Sequence, residues 1–234
     1  MNIEPITLVE ANAILTQSGR ACGHYLGRIH NCDYALATSE RDAVAVFRAP
    51  TASAWTKALK RPLELSRLYR LPSFSGEPIT DHKGRTWPAR QLSEFVAASL
   101  RWIKSEAPEV EIVLAYSDES VKNSAIPVRE HDGTIYRALN FKFLGYSTPM
   151  PHWEDLAGNR ISTKMARTLH GTRSMEKIAK LEPSWELVPA RPKLLWAYPM
   201  AMSVEDALAL YDARAGSGRA IYKSVQPPPF RVWD

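Results

Sequence analysis

The sequence is poor in cysteine, and it lacks long apolar runs and the common nucleotide- and metal-binding motifs. Two cysteines, Cys22 and Cys32, are too few for a thiolate zinc site without histidine. No stretch approaches the length of a membrane span, and the N-terminal residues have no basic region followed by an apolar block. A Walker loop, a GxGxxG turn and an HExxH pair are all absent. We therefore expect a protein of the reducing cytoplasm, with free thiols and no membrane partner.

Charge is distributed unevenly along the chain, whose formal net charge is +5. Between Arg160 and Asp234, twelve Lys and Arg residues stand against seven Asp and Glu, so the C-terminal third carries the whole excess. Aromatic residues lie among these charges, and that combination suits a polyanion that carries bases. A basic surface over buried aromatic side chains explains the same pattern equally well.

Hydrophobic periodicity predicts a mixed α/β (α+β) domain. Predicted strands cover residues 34–38, 43–48, 63–71, 110–116, 141–147 and 194–198, and predicted helices cover 89–107, 133–140, 174–182 and 203–213. Because the long helix 89–107 joins two strands, the crossover rule predicts that these strands pair in parallel. We expect one domain over residues 1–200, followed by a C-terminal helix and an extended, proline-rich basic tail over 201–234.

Strand 63–71 alternates apolar and polar residues and carries one unusual charge. Strict alternation would place Arg67 on the same face as Leu63, Leu65 and Tyr69. An unpaired charge on an apolar face is costly, so Arg67 is expected either to be paired or to line a pocket.

The stretch from residue 109 to residue 147 is the most informative for chemistry. A buried strand ends at Ser117 and Asp118, and a short helix with Tyr136 leads into the next strand. Both side chains are therefore expected near one bend. Further upstream, loop 22–28 presents His24 and Tyr25 between glycines, as loops at functional sites often do, although a surface turn is the alternative.

These pieces together resemble a known family. The order strand, phosphate-facing helix, strand and G-T-I-Y-x-A-x-N-F helix resembles the GNAT-type acyltransferase fold. More specifically, the chain resembles the phage Mom-type DNA modification proteins, through motifs that occur in order over about residues 20–200. The matching motifs are GHYLG at 23–27, LELSRLY at 63–69, the helix carrying Ser93, AYSD at 115–118, GTIYRALNF at 133–141, HG at 170–171, and RPK at 191–193 with YP at 198–199.

Two features depart from the acyltransferase pattern. The usual pyrophosphate-binding loop, Arg/Gln-x-x-Gly-x-Gly/Ala, is absent, since residues 84–92 read GRTWPARQL. Asn140-Phe141 also stands where the analogous motif ends in Gly-Phe.

The resemblance implies a phage enzyme of the host cytoplasm that converts adenine in DNA to N6-carbamoylmethyladenine and thereby protects phage DNA from host restriction. It implies a GNAT-like fold with a centrally parallel twisted sheet flanked by helices. Acetyl-CoA or a related acyl donor is the expected cofactor, and the resemblance leaves iron open as a second one. The expected partners are double-stranded DNA and the small-molecule donor, and a homodimer is also open.

Catalytic roles are expected for three residues. Asp118 would act as a base on the adenine amine or orient it, unless it caps a turn. Tyr136 would be a general acid or hold the donor, unless it is a core tyrosine. Arg67 would bind a carboxylate or phosphate of the donor through two hydrogen bonds, unless it is a buried partner of Glu64 or Asp118.

Further contacts are expected around these three. His24 and Tyr25 would touch the substrate, and His24 with Asp118 would ligate a metal, unless His24 is an ordinary loop residue. The N-terminus of the long helix would offer amides to a phosphate, beside Ser93 and Arg90 as donor-binding residues, with ordinary solvation as the alternative for Ser93.

The DNA contacts are expected around the proline-rich loop 72–88. Adenine in a duplex is out of reach of such a pocket, so the base would have to be flipped out. Trp87 or Trp153 would stack on it, unless each is simply buried. The residues expected to hold DNA phosphates are Lys57, Lys60, Arg61 and Arg85.

Two other classes of function remain open. An acetyltransferase acting on a small amine or a protein would turn over acetyl-CoA without DNA. A catalytically inactive DNA-binding module would bind DNA equally well after substitution of Asp118 and Tyr136.

Overall fold

The computed structural model describes residues 1–22, 29–77, 79–80, 83–84, 86–117, 133–147, 149, 151–158, 160–189 and 192–215. The strands are β1 Ile3–Pro5, β2 Tyr34–Thr38, β3 Ala43–Arg48, β4 Leu63–Arg70, β5 Ile79–Thr80, β6 Thr86–Trp87, β7 Ile112–Ser117, β8 Lys142–Tyr146, β9 His152–Glu154, β10 Arg160–Ile161, β11 Glu186–Val188 and β12 Leu194–Pro199. The helices are α1 Leu8–Cys22, α2 Ser53–Ala58, α3 Leu92–Glu106, α4 Thr134–Ala138, α5 Thr163–His170, α6 Met175–Leu181 and α7 Val204–Ala215. Within these ranges, none of the helices has the length and apolar character needed to cross a membrane.

A seven-stranded sheet forms the main body, in the order β1-β2-β3-β4-β7-β12-β8. Neighbouring strands are antiparallel except β4 and β7, which pair in parallel across the helix α3 crossover. The predicted mixed α/β fold with a parallel pair at its centre is therefore confirmed. Strand β12 lies between β7 and β8 although it comes last in the chain, an arrangement that the local pattern of 110–147 did not reveal.

Helices cover both faces of this sheet, and alternate residues of β7 contribute to the hydrophobic cores on the two faces. Val113 and Ala115 point to the face that carries α3 and α4, which we call the α3 face. Ile112 and Leu114 point to the opposite face, where α2 and α7 pack together. Helix α7, predicted as part of a separate C-terminal piece, therefore helps to cover the sheet. The rest of the predicted tail, from residue 216, lies outside the described residues.

A β-bulge in β4 overturns the predicted alternation of that strand. Leu65 pairs with Phe47, but the next pair joins Arg67 to Val46, so Ser66 is an extra residue on the β4 side. From that point the side chains change face. Arg67 consequently lies on the face of Val46, opposite the α3 face to which Leu65 contributes.

A small unit is inserted between β8 and β12. Strands β10, β9 and β11 form a three-stranded antiparallel sheet. Helices α5 and α6 pack on it around Trp153, Ile161, Ala166 and Ile178, so Trp153 has the predicted buried position. We call residues 152–188 the inserted unit, and α5 with α6 its helix pair.

Candidate functional site

The pairing of the two central parallel strands stops before either strand ends, which leaves a gap in the ladder between them. Strands β4 and β7 pair only from Leu63 with Val113 to Leu65 with Ala115, although β4 continues to Arg70 and β7 to Ser117. On their other edges, β4 still pairs with β3 and β7 with β12. Among the described strands, none fills the space between them. The edges of β4 and β7 that face the gap therefore form no ladder with each other.

The β4 side of the gap carries the bulge and a partly buried arginine. The Arg67 guanidinium donates to the Ser66 carbonyl at 2.7 Å. Burial lowers the pKa of Arg67, the neighbouring Arg48 lowers it further, and Glu64 opposes the shift. Glu64 is itself buried, accepts the Thr51 N–H at 2.9 Å and lies 3.6 Å from Arg48. Arg67 thus lies in a cluster that includes Glu64, one of the two partners that the sequence suggested.

On the β7 side, one tryptophan holds both ends of the segment that includes Asp118. The Trp196 indole N–H donates to the Ser117 hydroxyl at 3.0 Å, with both side chains buried. Gly133 lies against the same ring so closely that a Cβ there would be 2.4 Å from Trp196 Cζ2. The residues just before and just after the segment 118–132 are therefore fixed on Trp196. Asp118 itself lies outside the described residues.

Sequence reasoning missed Trp196 as a site residue, because in the sequence it is only one of the aromatic residues among the basic residues of the C-terminal third. Its role depends on β12 lying beside β7, with Trp196 paired to Ala115. Because that pairing joins segments about eighty residues apart, no local pattern indicates it.

Tyr136 belongs to the same aromatic cluster. Its side chain is 2% exposed, and its ring centroid is 6.0 Å from that of Trp196 and 5.2 Å from that of Phe141. Burial raises the pKa of the Tyr136 phenol, so the group keeps its proton at neutral pH. It can donate a proton or a hydrogen bond but cannot serve as a base. Tyr136 and Arg67 lie on opposite faces of the sheet.

The N-terminus of α3 already has an acceptor. The Glu94 carboxylate accepts the Gln91 N–H at 3.1 Å, which puts a negative charge where a phosphate was predicted. Ser93 is half-buried in this first turn. Arg90 is paired with the buried Asp42 and donates to the Phe74 carbonyl at 2.8 Å.

The predicted DNA contacts fall into three groups. Lys57 and Lys60 are exposed at the end of α2 and just after it. Arg61 lies 3.3 Å from Asp33 and 3.9 Å from Glu109, so neighbouring carboxylates compensate its charge. Arg85 and the side chain of Trp87 lie outside the description, although the backbone of Trp87 forms β6.

The predicted metal site cannot be located in the same way. His24, Tyr25 and Asp118 all lie outside the described residues. Among the residues that are described, no group of three or more His, Cys, Asp and Glu side chains is arranged to hold a metal ion. The assignment of His24 and Asp118 as ligands therefore stays a prediction.

Comparison with known proteins supplies the family. A model of the Mom protein family matches residues 1–191. This span runs from β1 through the inserted unit and stops before β12. None of the curated proteins matches the chain. Because the family match covers most of the sequence, the chain belongs to the Mom protein family, which is known for DNA modification.

Proposed function

We propose that this protein is a phage enzyme that converts adenine in DNA to N6-carbamoylmethyladenine and so protects the DNA from host restriction. Membership of the Mom protein family supports a role in DNA modification. In the proposed reaction, the donor's bond to the methylene carbon of a carbamoylmethyl group breaks, that carbon forms a bond to the exocyclic nitrogen of adenine, and the nitrogen loses one proton.

The observation that carries the proposal is the gap between β4 and β7, which ends beside Ser117 and therefore next to Asp118 in the chain. A CoA-type donor with an extended, amide-bearing arm would fit there, because β4 and β7 do not pair with each other beyond Leu65 and Ala115, and strand edges bind such an arm as they would bind an added strand. The strand order, with one parallel pair at the centre, is similar to that of the GNAT-type acyltransferase fold and supports the same class of donor.

The residues around the gap suit complementary tasks. Asp118, directly after the anchored Ser117, would orient the adenine amine or accept its proton. Tyr136, which stays protonated, would donate a hydrogen bond or a proton to the donor's leaving group. Arg67, at the β4 side, would bind a negative group of the donor.

The α3 N-terminus and Arg90, which were expected to bind the donor phosphates, already have carboxylate partners. Ser93 and Arg90 remain proposed contacts, but Glu94 occupies the α3 N-terminus and Asp42 holds Arg90. Phosphate binding there would require both carboxylates to release their present partners. This requirement and the missing pyrophosphate loop both favour a donor held mainly through its arm.

The base must leave the duplex to reach this site, as in other enzymes that act on bases. Lys57 and Lys60, which are exposed, remain proposed phosphate contacts together with the basic C-terminal third. His24 and Tyr25 would complete the substrate pocket, and His24 with Asp118 would hold a metal if iron is required. No step of the proposed chemistry depends on that metal.

Mass spectrometry of nucleosides from plasmid DNA tests the proposal. Cells that express the wild-type protein should contain a deoxyadenosine heavier by about 57 Da, the mass of a carbamoylmethyl group replacing a proton. Asp118→Ala should abolish this product, and Tyr136→Phe should strongly reduce it. Tyr198→Phe is the matched control, because it removes a hydroxyl from a half-buried ring of the same aromatic cluster.

Two results would redirect the assignment. Unmodified adenine together with CoA release from acetyl-CoA in the absence of DNA would favour a small-amine acetyltransferase. Equal DNA binding by wild type and Asp118→Ala, with neither reaction detectable, would favour an inactive DNA-binding module.

A further inference from the structure

The inserted unit is attached at the end of the sheet where β7 stops. Leu194, the first residue of β12, pairs with Ser117 of β7 on one side and with Tyr146 of β8 on the other. The two connections are tied together, since the Ser147 N–H donates to the Lys193 carbonyl at 2.8 Å and the Lys193 N–H to the Ser147 hydroxyl at 3.0 Å. Both connections therefore leave the sheet beside the candidate site.

The connection from β8 to the inserted unit is short. His152, the first residue of the inserted unit, comes five residues after Ser147. A chain of that length spans at most about 18 Å when fully extended. The inserted unit therefore begins within one DNA diameter of the end of the sheet.

The inserted unit has six Lys and Arg against five Asp and Glu, but its basic residues are concentrated in and beside the helix pair. From Arg160 to Lys180 the sequence has six Lys and Arg residues and one Glu. Arg167, Arg173 and Lys177 are exposed, and none of the three forms an ion pair with another described residue. The buried side of the pair is fixed by its own small core, so the two helices that carry or flank these charges are held in place.

A polyanion fits this surface better than a second copy of the chain does. Met165 and Leu169 are 51% and 58% exposed beside the charges, and such side chains can also support self-association. A symmetric dimer through the helix pair would, however, bring two surfaces of the same positive charge together. A DNA duplex instead presents closely spaced phosphates along its whole length.

We infer that the helix pair docks on the phosphate backbone of the DNA duplex beside the flipped adenine, independently of base sequence. The inference rests on the proposed function for the identity of the target. It adds a second role for the chain: the sheet holds the reacting groups, while the inserted unit holds the duplex next to them. Residues Arg167, Arg173 and Lys177 are the proposed phosphate contacts.

Anisotropy of a fluorescein-labelled 24-base-pair duplex, titrated with full-length protein at several salt concentrations, tests the inference. The triple substitution Arg167→Ala, Arg173→Ala and Lys177→Ala should weaken binding more than about tenfold and reduce the salt slope by roughly 2.7, at about 0.9 for each phosphate contact. The control replaces Arg101, Lys104 and Arg214 by Ala, which removes the same charge from other exposed positions. It should bind within about twofold of wild type, because it changes only the overall charge.

A charge-conserving variant shows whether a loss of DNA binding comes from the missing charges or from unfolding of the helix pair. Arg167→Lys with Arg173→Lys and Lys177→Arg should retain the wild-type salt slope, since phosphate attraction needs only the charge. Equal losses in the triple variant and in the Arg101, Lys104 and Arg214 control would overturn the inference. So would a triple variant that binds DNA like wild type but changes its sedimentation coefficient, because that result would identify a dimer surface.

The experiments distinguish a failure of DNA docking by the helix pair from a failure of the proposed adenine modification. If the salt slope falls only in the triple variant but no modified adenine is found in cells, the docking surface stands and the proposed reaction does not. If modified adenine is found but the triple variant binds DNA as the control does, the reaction stands and the docking surface does not.

Discussion

The arginines of the main sheet and those of the inserted unit are used differently. In the main body, Arg90 is paired with Asp42, and Arg61 with Asp33 and Glu109. In the helix pair, Arg167 and Arg173 have no ion-pair partner among the described residues. Arg61 and Arg90 therefore make contacts within the main body, whereas Arg167 and Arg173 of the inserted unit are displayed to solvent. This difference indicates which cations a polyanion can reach without breaking existing contacts.

The largest expected loss of stability comes from substituting Gly133, the glycine that lies against the Trp196 ring. Gly133→Ala would force a Cβ into the indole ring at a φ of +80°, so we expect a loss of about 2–5 kcal/mol in the free energy of unfolding from overpacking and backbone strain together. The matched control is Gly158→Ala in the inserted unit, where φ is +76° but nothing lies within 4 Å of the new Cβ. That control should cost only about 1–2 kcal/mol. Denaturant unfolding of the two variants makes the comparison, and equal losses would contradict the anchoring role of Trp196.

A smaller effect is expected from the paired arginine of the main body. Arg90→Ala leaves the buried Asp42 carboxylate without its ion-pair partner, so we expect a loss of about 1–3 kcal/mol in the free energy of unfolding. Arg173→Ala, in the helix pair, should change stability by no more than about 0.5 kcal/mol. Thermal or denaturant unfolding gives both values. If Arg90→Ala proved as harmless as Arg173→Ala, the contrast between the two regions would not hold.

The smallest of these effects is a dependence of the free energy of unfolding on pH. Burial raises the pKa of Tyr136, so as the pH rises above about 10 the unfolded chain releases this proton before the folded protein does. Stability is therefore complete below that pH and declines above it. Tyr136→Phe should make the decline less steep without removing it, because burial also raises the pKa of Tyr116. Tyr198→Phe is the control, and a Tyr136→Phe curve parallel to that of wild type would exclude this contribution.

Much of the fold follows from local patterns. The hairpin of β2 and β3 was predicted at its observed bounds, because alternating small and branched residues end at polar turn residues. Helix α7 begins at Val204, directly after the predicted cap Ser203, whose hydroxyl accepts the Asp206 N–H at 3.1 Å. The parallel pairing of β4 with β7 followed from the crossover rule.

Non-local contacts limited the prediction of the site. A single extra residue, Ser66, turned Arg67 to the other face, and the alternation of the sequence gives no sign of it. The insertion of β12 beside β7 brought Trp196 to Ser117, and only long-range pairing shows that contact. The sequence predicted a helix over 174–182 but not the inserted unit as a whole, since the core of that unit joins residues from several short elements.

The central claim is that Asp118 acts in the reaction while the helix pair holds the DNA. Its most direct test measures modified deoxyadenosine per plasmid at two expression levels of the protein. At low expression, Asp118→Ala and the Arg167, Arg173 and Lys177 triple variant should both yield less product than wild type. High expression should restore the product for the triple variant, because concentration compensates for weak DNA binding, but should not restore it for Asp118→Ala. Full restoration of Asp118→Ala, or a triple variant that stays inactive at high expression while remaining folded, would contradict the account.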